Sequence, residues 1–161
     1  MQDTRPSLGK ITLIYLGFYL LMAVLINIVL WAAEYFAGWI IQPSSIGWLP
    51  LILGAMFAGQ HYGTRAGAKP PQGYAWMAGL LFTSVSVAVS MLVFYVIAVA
   101  MGFDTKVLMV ELLAQVGNDA GLILGILGGF MLLIWVLQRF AFSMGAGQAV
   151  KQAERLAAKG K

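Results

Sequence analysis

The stretch ITLIYLGFYLLMAVLINIVLWAA, residues 11–33, contains no charged side chain, and Asn27 is its only strongly polar residue. A helix needs about 20 apolar residues to cross the hydrocarbon core of a bilayer, at about 1.5 Å per residue. The apolar core of a secretory signal peptide is shorter, roughly 7–15 residues. This stretch therefore predicts a transmembrane helix that is retained in the mature protein.

Three further stretches complete a predicted four-helix transmembrane bundle, an all-α polytopic membrane fold. The second span covers 46–62 and carries Pro50 near its start, where the missing N–H of proline has no helical partner in any case. The third span covers 74–101 and the fourth 121–138. The sequence QPSS at 42–45 separates the first span from the second, because proline and serine favour turns.

The segment 103–118, between the third and fourth spans, is too polar to be a fifth span. Three polar side chains interrupt it: Lys106, Glu111 and Gln115. We predict a short amphipathic helix that lies in the periplasmic interface, with an irregular loop as the alternative. Asp104 or Thr105 can cap its start, and Gly117 with Asn118 can end it.

The composition supports a membrane protein with a single domain, 1–161. The chain has 161 residues, of which 61% are hydrophobic and 10% charged, whereas soluble domains are nearer half apolar and a quarter charged. It has no cysteine, which excludes disulfides, thiol catalysis and cysteine metal sites. The sequence has no basic face interleaved with aromatic residues, so nucleic acid is not an expected partner.

The positions of the basic residues predict the orientation of the bundle. Nine lie in the N-terminus, the second loop and the C-terminal tail: Arg5, Lys10, Arg65, Lys69, Arg139, Lys151, Arg155, Lys159 and Lys161. The other connections contain only Lys106. Since basic residues stay cytoplasmic, both termini are expected in the cytoplasm. The basic tail, 139–161, is expected to be a solvated anchor of this topology, with attraction to anionic lipid head groups as the alternative.

Small residues at helical spacing predict how the spans pack, because close packing and hydrogen bonds hold helices together in lipid. One face of the fourth span is a glycine series at a spacing of four: Gly117, Gly121, Gly125 and Gly129. The third span carries a complementary stripe: Gly79, Thr83, Ser86 and Ser90. We predict that these two faces meet.

Five polar residues form the candidate polar site. Asn27 is expected to be buried and to hydrogen-bond the hydroxyl groups of the third span, and Glu34 lies near the periplasmic boundary. His61 and Arg65 come where the second span leaves the membrane, and Arg139 ends the fourth span at the same level. These last three predict either a cytoplasmic pocket for a phosphate or carboxylate group or an interfacial polar collar.

No motif in the sequence indicates catalysis. The chain has one histidine, and it has no HExxH, CxxC or paired-carboxylate arrangement. It also contains no Walker loop and no nucleophile elbow. We therefore expect no catalytic residues, no metal and no cofactor.

The chain resembles an uncharacterised family of small four-span bacterial inner-membrane proteins. The resemblance rests on the glycine-rich second span, GAMFAGQHY at 54–62, followed by Arg65 and Pro70, and on Arg139 with GAG at 145–147. Members often carry a glutamate after the loop proline, where this chain has glutamine and glycine. The resemblance implies the fold and the location but no activity.

These features favour a non-enzymatic accessory or interaction subunit, which could form a homo- or hetero-oligomer. A small-solute transporter or transporter subunit is the alternative, and the small membrane subunit of tripartite dicarboxylate transporters shares the length and span count. A wet central cavity that reaches Asn27 would favour transport. A tight core beside an exposed stripe of small residues would favour the interaction subunit.

Overall fold

The computed structural model describes residues 6–39 and 46–159, and within 105–119 it describes few side chains. The proposed break at 42–45 lies outside the described residues. The described chain is all α-helical, as predicted, and contains four helices: α1 (Leu8–Ala37), α2 (Leu49–Ala66), α3 (Gln72–Ala100) and α4 (Thr105–Lys159).

Three helices are long and apolar enough to cross a membrane. They are α1, α3 and the part of α4 from Ala120 to Lys159. α2 is not among them, because its 18 residues include polar side chains in the second half, such as Gln60, His61 and Arg65. The predicted span 46–62 is therefore helical only from Leu49 onward, and this helix differs in composition from the other three.

Glycines in the left-handed conformation end α1 and α2. Gly38 has φ 66°, its N–H donates to the carbonyl of Glu34, and the N–H of Trp39 donates to the carbonyl of Ala33. Gly67 has φ 62° and donates to the carbonyl of Gly63. Such bonds satisfy the last carbonyl groups of a helix, and glycine accepts the positive φ without strain.

The segment 103–118 does not form a separate helix. Asp104 accepts a hydrogen bond from the N–H of Lys106 at 2.9 Å and so caps the start of α4, as the sequence suggested. The helix then continues without interruption through 117–118 to Lys159. Gly117 does not end it, because only Gly38, Gly67 and Gly102 have positive φ among the described residues, and no proline interrupts α4.

α2 packs against α4 through small residues on both helices. A Cβ placed on Gly59 would collide with the backbone carbonyl of Phe142, and one placed on Gly145 would collide with the carbonyl of Met56. Further along, Gly63 lies against the backbone of Ala146. Gly63 lies four residues after Gly59 on α2 and meets Ala146, which lies four residues after Phe142 on α4, so the two helices run parallel. This is the close backbone approach that small residues four apart allow.

The protein core lies where all four helices meet, near the cytoplasmic ends predicted from the sequence. Its buried members are Ile11, Tyr15, Ala55, Ala58, Tyr62, Ala75, Ala78, Phe82, Ala141, Phe142 and Ala146. The first part of the predicted tail, 139–161, thus belongs to the core, and only 151–159 is exposed throughout. The charge pattern indicated a solvated tail, but alanine and glycine at 141–149 supply the surface that α2 needs.

Candidate functional site

A buried polar network joins α1, α3 and α4. The hydroxyl groups of Tyr15 and Ser86 lie 2.5 Å apart, and Gln138 Nε2 donates to Tyr15 Oη at 2.9 Å. Thr83 Oγ1 lies 2.9 Å from Gln138 Oε1. Tyr15 and Gln138 are fully buried, and Thr83 and Ser86 are nearly so. The network therefore lies inside the core, out of reach of solvent.

Because each hydroxyl group has only one hydrogen to donate, the direction of most of these hydrogen bonds is fixed. Ser86 donates its single hydroxyl hydrogen to the carbonyl of Phe82 at 2.7 Å, so it must accept from Tyr15. Tyr15 in turn accepts from the amide of Gln138. Thr83 shares its hydrogen between Gln138 Oε1 and the carbonyl of Gly79, 3.0 Å away. Every hydroxyl of the network is thereby satisfied, which a buried polar group requires.

The chemistry of this network suits a structural role. It contains three hydroxyl groups and one amide, but no carboxylate, imidazole or amine that could take up or release a proton near neutral pH. In lipid, interhelical hydrogen bonds of this kind hold helices in register. Stacking of the Tyr15 and Phe82 rings, with centroids 4.2 Å apart, also stabilises the contact between α1 and α3.

The predicted stripe of small residues on α3 contacts two different helices, α4 and α1. Gly79 lies against Trp135 and Arg139 of α4, and Thr83 bonds Gln138. Ser86 bonds α1 instead, and Ser90 is exposed. Sequence reasoning did not identify Tyr15 as the partner of Ser86, although a tyrosine within the first apolar span was a possible signal, since a buried hydroxyl needs a partner.

Asn27 and Glu34 lie outside the core. Asn27 is exposed and donates to the carbonyl of Ala23 in its own helix at 2.8 Å. The expected bond to the hydroxyl groups of α3 is not made, because Ser86 lies at the level of Tyr15, about three turns earlier on α1. Glu34 is exposed near the end of α1. Neither residue joins the network.

A small cavity borders Asn27 between α1 and the segment that leads into α2. Its volume is about 130 Å³, enough to hold water. The lining is mostly apolar: Tyr19, Ala23, Ile26, Asn27, Leu30, Ile46, Gly47 and Pro50. The cavity lies beside the first turn of α2 rather than in the core. It is therefore not the central polar cavity that would favour transport.

The three predicted cytoplasmic residues do not form one cluster. Arg139 lies on the α3 side of α4, with its guanidinium 4.2 Å from the centroid of the Trp76 ring. His61 is partly buried on α2, and its Nε2 has no hydrogen-bond partner among the described residues. Arg65 is exposed at the end of α2. Neither described cavity is lined by these three residues together.

The glycine face of α4 makes no contact with α3. A Cβ placed on any of its members would meet no atom within 4 Å beyond the neighbouring backbone of its own helix: Gly117, Gly121, Gly125, Gly128 and Gly129. The predicted contact between this face and the stripe of α3 is therefore not made within the described chain. We call this surface the open glycine face.

The site and the fold define a class of protein: an all-helical chain with three helices that could span a membrane. No group of three or more histidine or acidic side chains that could hold a metal occurs in the described part of the chain. Comparison with protein-family models, curated proteins and solved structures finds no match to this chain.

Proposed function

We propose that the protein is a non-enzymatic integral membrane protein that serves as an interaction subunit and binds another membrane-embedded chain through the open glycine face. One observation carries the proposal. The end of the bundle near Phe142 is tightly packed, whereas the glycines of α4 from 117 to 129 have no neighbour. A tight core beside an exposed stripe of small residues is the arrangement expected of an interaction subunit.

The energetics of glycine support a partner at this face. Each glycine in a helix interior costs about 1 kcal/mol relative to alanine, and lipid packs as well against larger apolar side chains. Glycines four apart stabilise a helix pair only when a second backbone comes close. The neighbouring side chains Leu122, Leu124 and Ile126 are exposed and apolar, as lipid contact requires.

This proposal is tested by replacing Gly125 with leucine. The variant is expected to melt like the wild type, because the leucine side chain would enter open space. It is also expected to lose the bound partner, which can be a second copy or another protein. The measurement is affinity purification from the native host in mild detergent, followed by mass spectrometry and size-exclusion chromatography.

Leu124→Ile is the matched control, since Leu124 is exposed on another side of the same turn. It should keep both the melting temperature and the partner. If the wild type purifies as a monomer without any associated membrane protein, or if Gly125→Leu retains the partner, the proposal is wrong.

We further propose that all four helices cross the membrane, with both termini in the cytoplasm of a bacterial cell. The charge count of nine basic residues against one supports this orientation. The packing supports α2 as a membrane span in addition to the three apolar helices, since its buried residues lie against protein: Ala55, Ala58, Gly59, Tyr62 and Gly63. A helix that is shielded from lipid by its neighbours needs less hydrophobicity than one exposed to it.

Cysteine labelling tests the orientation, and the absence of native cysteine leaves no background. A membrane-impermeant maleimide applied to intact cells is expected to label Phe103→Cys but not Ala68→Cys or Ala157→Cys. All three positions are exposed, so permeabilised cells should label at each. Labelling of Ala68→Cys in intact cells would contradict the orientation.

A transporter of small solutes is the second proposal. The cavity of about 130 Å³ beside Asn27 is the observation in its favour. Closer to the cytoplasmic ends of the helices, the stacked rings of Tyr15 and Phe82, with Phe142 edge-on to Phe82, fill the centre of the bundle. Transport would require these rings to move apart, and for this reason the interaction subunit is the first choice.

A further inference from the structure

An open groove runs between α3 and α4. Its volume is about 530 Å³. The lining is apolar apart from two hydroxyl groups: Leu80, Thr83, Ser84, Val87, Gly128, Met131, Leu132 and Trp135. Gly128 leaves space at one end, and Trp135 stands at the other. The groove faces outward, because Leu80, Ser84, Met131 and Leu132 are all exposed.

A cation stands at the tryptophan end of this groove. Arg139 follows Trp135 by one helical turn on α4, and Trp76 precedes Leu80 by one turn on α3, so the two residues extend the two walls of the groove. The guanidinium lies 4.2 Å from the centroid of the Trp76 ring and 4.9 Å from that of Phe140. Trp135 Nε1 donates to the carbonyl of Trp76 at 3.0 Å, which ties the walls together.

The charge of Arg139 is not neutralised by the described residues. It has no ion pair with a carboxylate among them, and its Nε is buried without a hydrogen-bond partner. Two aromatic rings hold the guanidinium in place, a contact that stabilises a cation without cancelling its charge. An arginine fixed in this way presents its donors to an oxygen-rich anion, and phosphate is the anion that best matches its geometry.

We propose that the groove between α3 and α4 is a binding site for an anionic phospholipid, with the head-group phosphate on Arg139 and an acyl chain along the groove. Both parts of a lipid have a matching surface: a fixed cation at one end, and an apolar channel that opens sideways toward the bilayer. A soluble phosphate compound would match the cation alone. The groove adjoins the open glycine face at Gly128, but its occupant does not depend on the proposed interaction function.

Quenching by brominated lipid tests this site, because Trp76 and Trp135 belong to it. The three other tryptophans, Trp31, Trp39 and Trp48, are exposed and can be replaced by phenylalanine to isolate the signal. The full-length protein is placed in phosphatidylcholine vesicles that contain brominated phosphatidylglycerol or brominated phosphatidylcholine. We expect phosphatidylglycerol to be preferred about fivefold, the factor that corresponds to one basic residue near an anionic lipid.

Two variants separate the two parts of the site. Arg139→Gln is expected to abolish the preference for phosphatidylglycerol. Ser84→Leu fills the groove from its exposed wall without changing charge, and is expected to reduce quenching by both lipids. Lys106→Gln, which removes one charge at the other end of α4, is the matched control and should preserve the preference. If Arg139→Gln does not fold, the wild type and Ser84→Leu decide the question.

Three results would overturn the proposal. Equal quenching of the wild type by both lipids would show that the cation does not select the head group. Unchanged quenching in Ser84→Leu would show that no acyl chain lies in the groove. Inorganic phosphate, added at constant ionic strength, is expected to leave the quenching unchanged; a loss of quenching would assign Arg139 to a soluble phosphate instead.

Discussion

Replacement of Gly59 by leucine is expected to abolish the folded protein, because the new side chain would have to occupy the backbone of α4. A Cβ at this position already collides with the carbonyl of Phe142. Overpacking a core typically costs about 1–3 kcal/mol when side chains can adjust. Here the neighbour is backbone, so the helices must separate, and we expect a loss above that range. Even Gly59→Ala should lower the melting temperature.

The same result is expected for Gly145→Leu, since the contact is reciprocal and a Cβ at Gly145 would collide with the carbonyl of Met56. The measurement is the yield of monodisperse protein in detergent, with thermal melting of whatever folds. Gly17→Leu and Gly125→Leu are the controls, because both glycines face open space. If Gly59→Leu melts within experimental error of Gly17→Leu, the close contact between α2 and α4 does not exist.

A chain that ends at Phe140 is expected not to fold, whereas a chain that ends at Val150 should fold like the full-length protein. The shorter chain loses the part of α4 that packs on α2, including Ala141, Phe142, Gly145 and Ala146. Loss of one buried phenylalanine side chain costs about 3–5 kcal/mol, against a total stability of about 5–15 kcal/mol for most proteins. Removal of the whole contact therefore exceeds what the remaining core can supply.

The chain that ends at Val150 loses only residues that are exposed in the structure, 151–159, and the last two residues of the sequence. It keeps Arg65, Lys69 and the basic N-terminus, so the charge bias that orients the helices remains. Protease resistance in membranes and the elution volume in detergent compare the two chains. A folded protein from the chain that ends at Phe140 would refute the assignment of 141–149 to the core.

The spacing of the glycines in the sequence did not determine which of them pack against another helix. A spacing of four places glycines on one face of a helix, and this is equally true of Gly59 and Gly63 and of Gly121 and Gly125. The spacing alone does not determine which of these glycine faces contacts another helix. In the structure the first pair is packed and the second is open, so the contact assigned to the fourth span lies elsewhere.

The polar residues illustrate the same limit. Sequence position suggested that Asn27 was the most buried polar side chain, because it lies within an apolar span. The structure buries Tyr15 and Gln138 instead, since burial depends on whether neighbouring helices are present at that level. Gln138 lies next to Arg139 in the sequence, yet the first is enclosed in the core and the second stands at the mouth of a groove.

The sequence by itself determined the helical class, the three long apolar helices and the short second helix. These follow from local properties: the length of each apolar run and the placement of proline and charge. The glycine that ends the first helix was found only in the structure. Only the tertiary structure decided that α4 continues through 103–118, that its C-terminal part belongs to the core, and which glycines are packed. Those outcomes depend on contacts between residues far apart in the chain, such as Gly59 with Phe142 and Tyr15 with Gln138, and no local pattern specifies which surfaces meet.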